Sequence, residues 1–237
     1  MRGLGLIILM QITAEAFFLP NHSGLSAARV KNSPLYAGPF DVLTSLFKDS
    51  KKESLERLEK TTNLKKSLVE LTKGTNNGLK ATDETRSEIA AIAKSLAAFN
   101  GIKSIASSPA MTGNWKLLYT TNGGNSAGKL GPFVGRVDQT IDVPSNRYIN
   151  YVRVGPGVLQ GALSASWDNI NANTWKVNFL DIEIKVFGIP VKKNVFNDVS
   201  GIWKMTFLDD DLRILYAQGR SKEVNEENIY ILGKDTF

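Results

Sequence analysis

The side chains able to carry covalent or acid–base chemistry are few. The 237 residues include no cysteine and a single histidine, His22. Without cysteine there is no disulfide frame, thiolate zinc site, iron–sulfur cluster or cysteine nucleophile. His22 falls in a segment that reads as a removed leader, so the mature chain has no imidazole for a Ser-His-Asp triad, an acid–base pair or a metal site. Carboxylates, tyrosines and lysines remain. Asp138 with Asp142, and Asp181 with Glu183, stand at even spacings in segments that read as strands, so each pair shares a face. Such a pair would support an isomerase or cyclase working through a carboxylate and a tyrosine if it faced an enclosed interior. On a solvent face it would be an ordinary surface pair.

Other patterns fall short of chemistry. Gly123, Gly128 and Lys129 have the spacing of a phosphate loop, but Leu130 stands where a magnesium-binding hydroxyl belongs. Gly131-Pro132 follows in place of a helix, so the segment reads as a hairpin loop. Asp209, Asp210 and Asp211 are adjacent carboxylates without a calcium-loop pattern and read as a solvated turn. Lys192-Lys193 beside Phe196 lacks the aromatic stripe of a nucleic-acid groove. No catalytic residue, metal site, cofactor or nucleic-acid partner is expected.

The elements that would position a site divide into two compositions. From 41 to 112 the chain reads as a helical arm. Leu43, Leu46, Phe47, Leu55 and Leu58, then Leu64, Leu68 and Leu71, recur at helical steps behind Asp41 as N-cap. Thr75 to Gly78 breaks the pattern, and Thr82 caps a second helix whose Ile89, Ile92, Leu96 and Phe99 share a face. These stripes predict packing on a neighbouring domain, with a membrane-surface helix as the alternative. From 113 to 237 the period becomes two, and all four tryptophans lie there. Eight or nine short strands with Gly, Pro, Asn and Asp between them predict an antiparallel β-barrel, wide enough to enclose a small ligand. Tyr119, Trp175, Phe179, Met205 and Phe207, each on an apolar strand face, are the expected cavity-lining residues. Trp115 opens the first strand and Arg213 lies on a late one; in a closed barrel these strands are neighbours, and a guanidinium on the indole would close one end.

Residues 1–16 carry Arg2, a short apolar run and Ala14-Glu15-Ala16, the pattern of a signal peptide. Residues 17–40 hold no acidic side chain among scattered serines and basic residues, the composition of a transit peptide. Joined at Ala16-Phe17, the two resemble the bipartite presequences of algae with complex plastids. Removing Arg2, Arg29, Lys31 and Glu15 with this leader leaves 26 basic and 22 acidic residues, a net charge of +4.

Gly113-Asn114-Trp115-Lys116-Leu117-Leu118-Tyr119-Thr120-Thr121 and Leu208-Asp209-Asp210-Asp211-Leu212-Arg213-Ile214 resemble the plastid lipid-associated protein family, the plastid fibrillins. Weaker similarity runs through Asn77 to Ala81 and Gly135 to Asp142. The resemblance implies a mainly β, lipocalin-like barrel behind an α-helical N-terminal arm. It also implies a non-enzymatic protein that binds apolar lipids such as acyl lipids, quinones or carotenoids. Its partners would be that lipid and a plastid membrane or lipid-body surface, the thylakoid or plastoglobule, met peripherally. A scaffold with a filled barrel is the other non-catalytic expectation.

Overall fold

The computed structural model describes residues 39–219 and 227–234. The signal-peptide reading lies outside these residues, and so does the transit-peptide reading except for Pro39 and Phe40. The chain divides into units 1–46 and 47–237, and of the first only residues 39–46 are described.

Helix α1 spans Pro39–Thr72, starting two residues before the expected Asp41 cap. A proline at the first helical position lacks only an N–H that the helix cannot use. Helix α2, Asp83–Ala97, begins as the sequence predicts: Thr82 accepts the backbone N–H of Thr85 at 3.3 Å. Among the described residues ten strands follow: β1 (Gly113–Thr120), β2 (Lys129–Leu130), β3 (Phe133–Val134), β4 (Arg136–Asp142), β5 (Arg147–Val154), β6 (Leu159–Asn171), β7 (Thr174–Val186), β8 (Ile189–Leu208), β9 (Leu212–Gly219) and β10 (Asn228–Lys234). Eight close into an antiparallel barrel in the order β1-β10-β9-β8-β7-β6-β5-β4, and β2 and β3 form a separate hairpin. The fold is mainly β, a barrel with two helices N-terminal to it.

Up-and-down connection puts the β4–β5, β6–β7 and β8–β9 turns at one end. The β5–β6 and β7–β8 turns lie at the other, bridged by Phe187 N–H donating to Val158 O at 2.8 Å. The first end is sealed. Two single 3₁₀ turns, Ile105–Ser107 and Pro109–Met111, place Ile105, Ala106 and Met111 in the interior cluster. They hold it by accepting indole N–H bonds: Trp175 to Ala106 O at 2.8 Å and Trp115 to Met111 O at 2.9 Å. Trp167 stacks on Trp175 with ring centroids 4.3 Å apart.

A second cluster lies outside the barrel wall. Leu68 of α1 and Ile89, Ala93 and Leu96 of α2 cover Leu212, Ile214, Ile229 and Ile231 of β9 and β10. The apolar stripe of α1 is only half used: Leu64, Leu68 and Leu71 pack here, while Leu55 and Leu58 are 56% and 63% exposed.

Bulges decide which side chains reach this outer cluster. Leu117 pairs with Leu232 and Tyr119 with Ile231, which leaves Leu118 as an extra residue in β1. Met205 pairs with Leu215 and Phe207 with Ile214, leaving Thr206 extra in β8. One added residue turns every later side chain to the opposite face. Tyr119 and Phe207, expected in the cavity wall, therefore lie on the outside beneath the helices.

Candidate ligand-binding site

The barrel interior is solid at its sealed end and hollow towards the other. Trp175 and Met205, expected to line a cavity, are fully buried in the solid part. Above them lies a cavity of about 170 Å³. Sites for drug-sized ligands are commonly about 300–1,000 Å³, so this one has room for a ring or a headgroup and not for a long acyl chain. Of the five expected lining residues, only Phe179 borders it.

Inward positions of β4 and β5 supply residues that alternation in hydrophobicity passes over. Gln139 and Asn150 pair across these strands, and Asn150 pairs on its other side with Leu163 of β6; all three line the cavity. Their signal was available: a polar residue between inward Val137 and Ile141, and another between Tyr148 and Val152. Tyr148 meets Trp203 edge to face at 5.1 Å, and both border the cavity. Asn122, Ser126, Gln218, Asn228 and Tyr230 line it as well.

The electrostatics come from one cation. Arg213 is completely buried, on the inward face of β9 beside Leu208 and Leu232. Its Cζ lies 5.2 Å from the centroid of the Trp115 ring, and Lys234 Nζ lies 5.0 Å from the same centroid. Both cations are thus within cation–π reach of the same indole. Arg213 Nη2 donates to Gln139 Oε1, while its Nε and Nη1 have no protein partner. Burial lowers the guanidinium to about 10, so it stays charged at neutral pH. Because Gln139 spends its oxygen on Arg213, its NH₂ group remains to donate. Asn150 Oδ1 is a buried acceptor without a protein partner. Burial pushes the Tyr148 phenol far above its ordinary value, so it remains a neutral hydroxyl. The cavity therefore offers donors and a bare acceptor beside aromatic faces.

The carboxylates point the other way. Asp138 is held on the outer face by Arg136 Nε at 2.6 Å and Arg153 Nη1 at 2.6 Å. Asp142 accepts from Ser145 Oγ near the β4–β5 turn. Glu183 pairs with Lys185 at 2.9 Å, and Asp181 faces Lys193 at 3.9 Å. Their strand partners, Tyr151 for Asp138 and Ser164 for Asp181, lie on the outward rows. With none of these four carboxylates in the interior, the alternative of an isomerase or cyclase built on one of them loses its chemistry.

Asp209 and Asp211 do something else. Asp209 Oδ1 accepts the backbone N–H groups of Asp211 and Leu212 at 3.1 and 2.9 Å, shaping the β8–β9 turn. Lys65 Nζ reaches from α1 to Asp209 Oδ2 at 2.7 Å and to Asp211. The acidic run fastens the helical arm to the barrel.

A sequence model of the family described as PAP_fibrillin matches residues 62–224. No curated protein and no solved structure matches the chain. The family match begins within α1 and continues past the end of β9.

Proposed function

Because the chain belongs to the plastid fibrillin family, we propose that it is a plastid lipid-associated protein that holds the polar end of an amphiphilic lipid in the mouth of its barrel. The family is a structural, lipid-associated one, and its plastid association carries to this chain. The finer reading is that the protein works peripherally at a thylakoid or plastoglobule surface after import by a bipartite presequence.

One observation supports the ligand most directly: a cavity of about 170 Å³ at the unsealed end, with Asn150 Oδ1 bare in its wall. A buried acceptor without a partner costs about 1–3 kcal/mol, which a ligand hydroxyl or amide would recover. Phe179 and Trp203 offer apolar faces to a ring, and the Gln139 NH₂ suits a carbonyl or ether oxygen. The apolar remainder of the lipid extends out of the mouth. Acyl lipids, quinones and hydroxylated carotenoids all have this two-part character. Binding of this kind needs no reactive group.

Lipid extraction of the purified chain followed by mass spectrometry tests the reading. An amphiphilic lipid is expected at close to one per chain. Replacing Ala217, which borders the cavity, by leucine fills the space and is expected to abolish recovery while far-UV circular dichroism stays unchanged. Absence of lipid from the parental chain, with none taken up from vesicles of plastid lipids, would leave a scaffold with a filled barrel. The solid lower half of the interior favours that second reading.

A further inference from the structure

The β7–β8 turn carries apolar side chains where the fold has no use for them. Val186 pairs with Ile189, and between them Phe187 and Gly188 have φ values of +49° and +79°. This is a two-residue type I′ turn, in which Asn-Gly is the favoured pair and a bulky aromatic at the first position is strained. Phe187 is nonetheless 74% exposed, and Ile189 beside it is 66% exposed, so neither recovers that strain by packing. The β5–β6 turn lies against this tip through the Phe187–Val158 bond and adds Val158, 39% exposed. The β2–β3 hairpin at the same end presents Phe133, 54% exposed.

Charge selects the occupant. Between Glu183 and Asp198 the chain has three lysines, Lys185, Lys192 and Lys193, and no carboxylate. Lys185 pairs with Glu183, Lys193 lies at 3.9 Å from Asp181, and Lys192 has no ion-pair partner among the described residues. An apolar tip followed by exposed lysines is complementary to a layer with a hydrocarbon interior and an anionic surface. It complements a second copy of this chain poorly, since the tip would meet its own positive charge.

We propose that the β7–β8 tip is the membrane-docking element, with Phe187 and Ile189 entering the headgroup boundary of an anionic lipid surface and Lys192 and Lys193 resting on it. The inference rests on the lipid-associated reading and adds to it which surface meets the lipid. Insertion is shallow, because among the described residues β8 pairs with β9 only from Gly201 onward, so deeper entry would carry the unpaired edge N–H and C=O groups of residues 189–200 into hydrocarbon. Docking in this orientation turns the open end of the barrel toward the layer.

The chain has no cysteine, so a single Ile189→Cys substitution takes one environment-sensitive fluorophore, with Ala172→Cys at the opposite end as control. With vesicles of 70% phosphatidylcholine and 30% phosphatidylglycerol, the label at 189 is expected to shift to the blue and the label at 172 to stay unchanged. In vesicle flotation, Phe187→Asn is expected to lower partitioning about tenfold or more, with thermal stability equal or higher because Asn-Gly suits the turn. Lys192→Gln is expected to cost about fivefold on these vesicles and nothing on pure phosphatidylcholine. Equal response of both labels, undiminished flotation of Phe187→Asn, or dimerisation through the tip in sedimentation would each overturn the proposal. A parental chain that floats with no vesicle also overturns it, whatever the lipid-recovery experiment returns. Failed recovery alongside tip-dependent flotation overturns the cavity reading alone.

Discussion

At the scale of single residues, Gly78 shows how closely the arm and the barrel approach. It has φ +97°, and a Cβ there would stand 2.0 Å from Thr120 O. The preceding Asn77 accepts the Thr120 N–H at 3.1 Å, and its Nδ2 donates to Ala127 O and Gly135 O at 2.9 and 3.1 Å. Gly78→Ala forces backbone apart and strains φ, at a cost of about 3 kcal/mol or more. Thermal denaturation is expected to show a midpoint lowered by roughly 6–12 °C; an unchanged midpoint would mean that the turn relaxes freely. The sequence marks this position only as a break between helices. The glycine requirement comes from β1, more than forty residues later. The contact of Arg213 with Trp115 was legible from closure, although their strands are not neighbours as expected: β10 lies between β1 and β9, and the long guanidinium side chain spans it. Tyr119 and Phe207 were misread because a bulge leaves no mark in hydrophobic alternation: Leu118 and Thr206 suit a regular strand as well as an irregular one.

At the scale of elements, the arm is held by Lys65 and the β8–β9 turn. Burial works against charge on both partners, and the bonds between them outweigh it: Lys65 is raised above its ordinary value and Asp211 is lowered below its own. The contribution of Asp211 is present above the ordinary carboxylate range and is lost as pH falls through its depressed folded value. That of Lys65 is present below the ordinary lysine value and is lost as pH rises through its elevated folded value. The pair is part-exposed, so it contributes about 1 kcal/mol. Lys65→Met is expected to lower the midpoint by about 2–4 °C, constantly from about pH 5 to 9 and progressively less as acid carries Asp211 through its depressed folded value. A difference that persists in acid would show that packing by the lysine stem, and not charge, holds the arm. The α2 cap and its buried face were legible because both lie within one helix. The unused part of the α1 stripe was not: periodicity states that a face is apolar and is silent on how far the barrel extends beneath it.

At the scale of the whole molecule, residues 47–237 are organised around one wall with apolar side chains on both faces. Strands β1, β8, β9 and β10 serve the interior cluster and the outer one alike. All four tryptophans lie in the interior cluster, so their fluorescence reads the barrel, while ellipticity at 222 nm is dominated by the helices. A shared wall predicts that the two signals melt together. Leu68→Ala, which opens the outer cluster, is expected to lower both curves in step by about 2–5 kcal/mol of stability. Separation of the curves would mean that the arm is an independent unit. Barrel class and the change from helical to alternating period were legible across the chain. The size of the cavity was not, because its walls come from β4 to β10 together and no strand states alone how far the side chains of the others fill the space.

The plug made by residues 102–111 leaves the barrel a blind chamber with a single doorway. A guest must leave by the route it entered, so exchange is a swap at one threshold and never a flow from end to end. Under the proposed docking that threshold faces a lipid layer, and cargo would pass between greasy surfaces that the protein visits in turn.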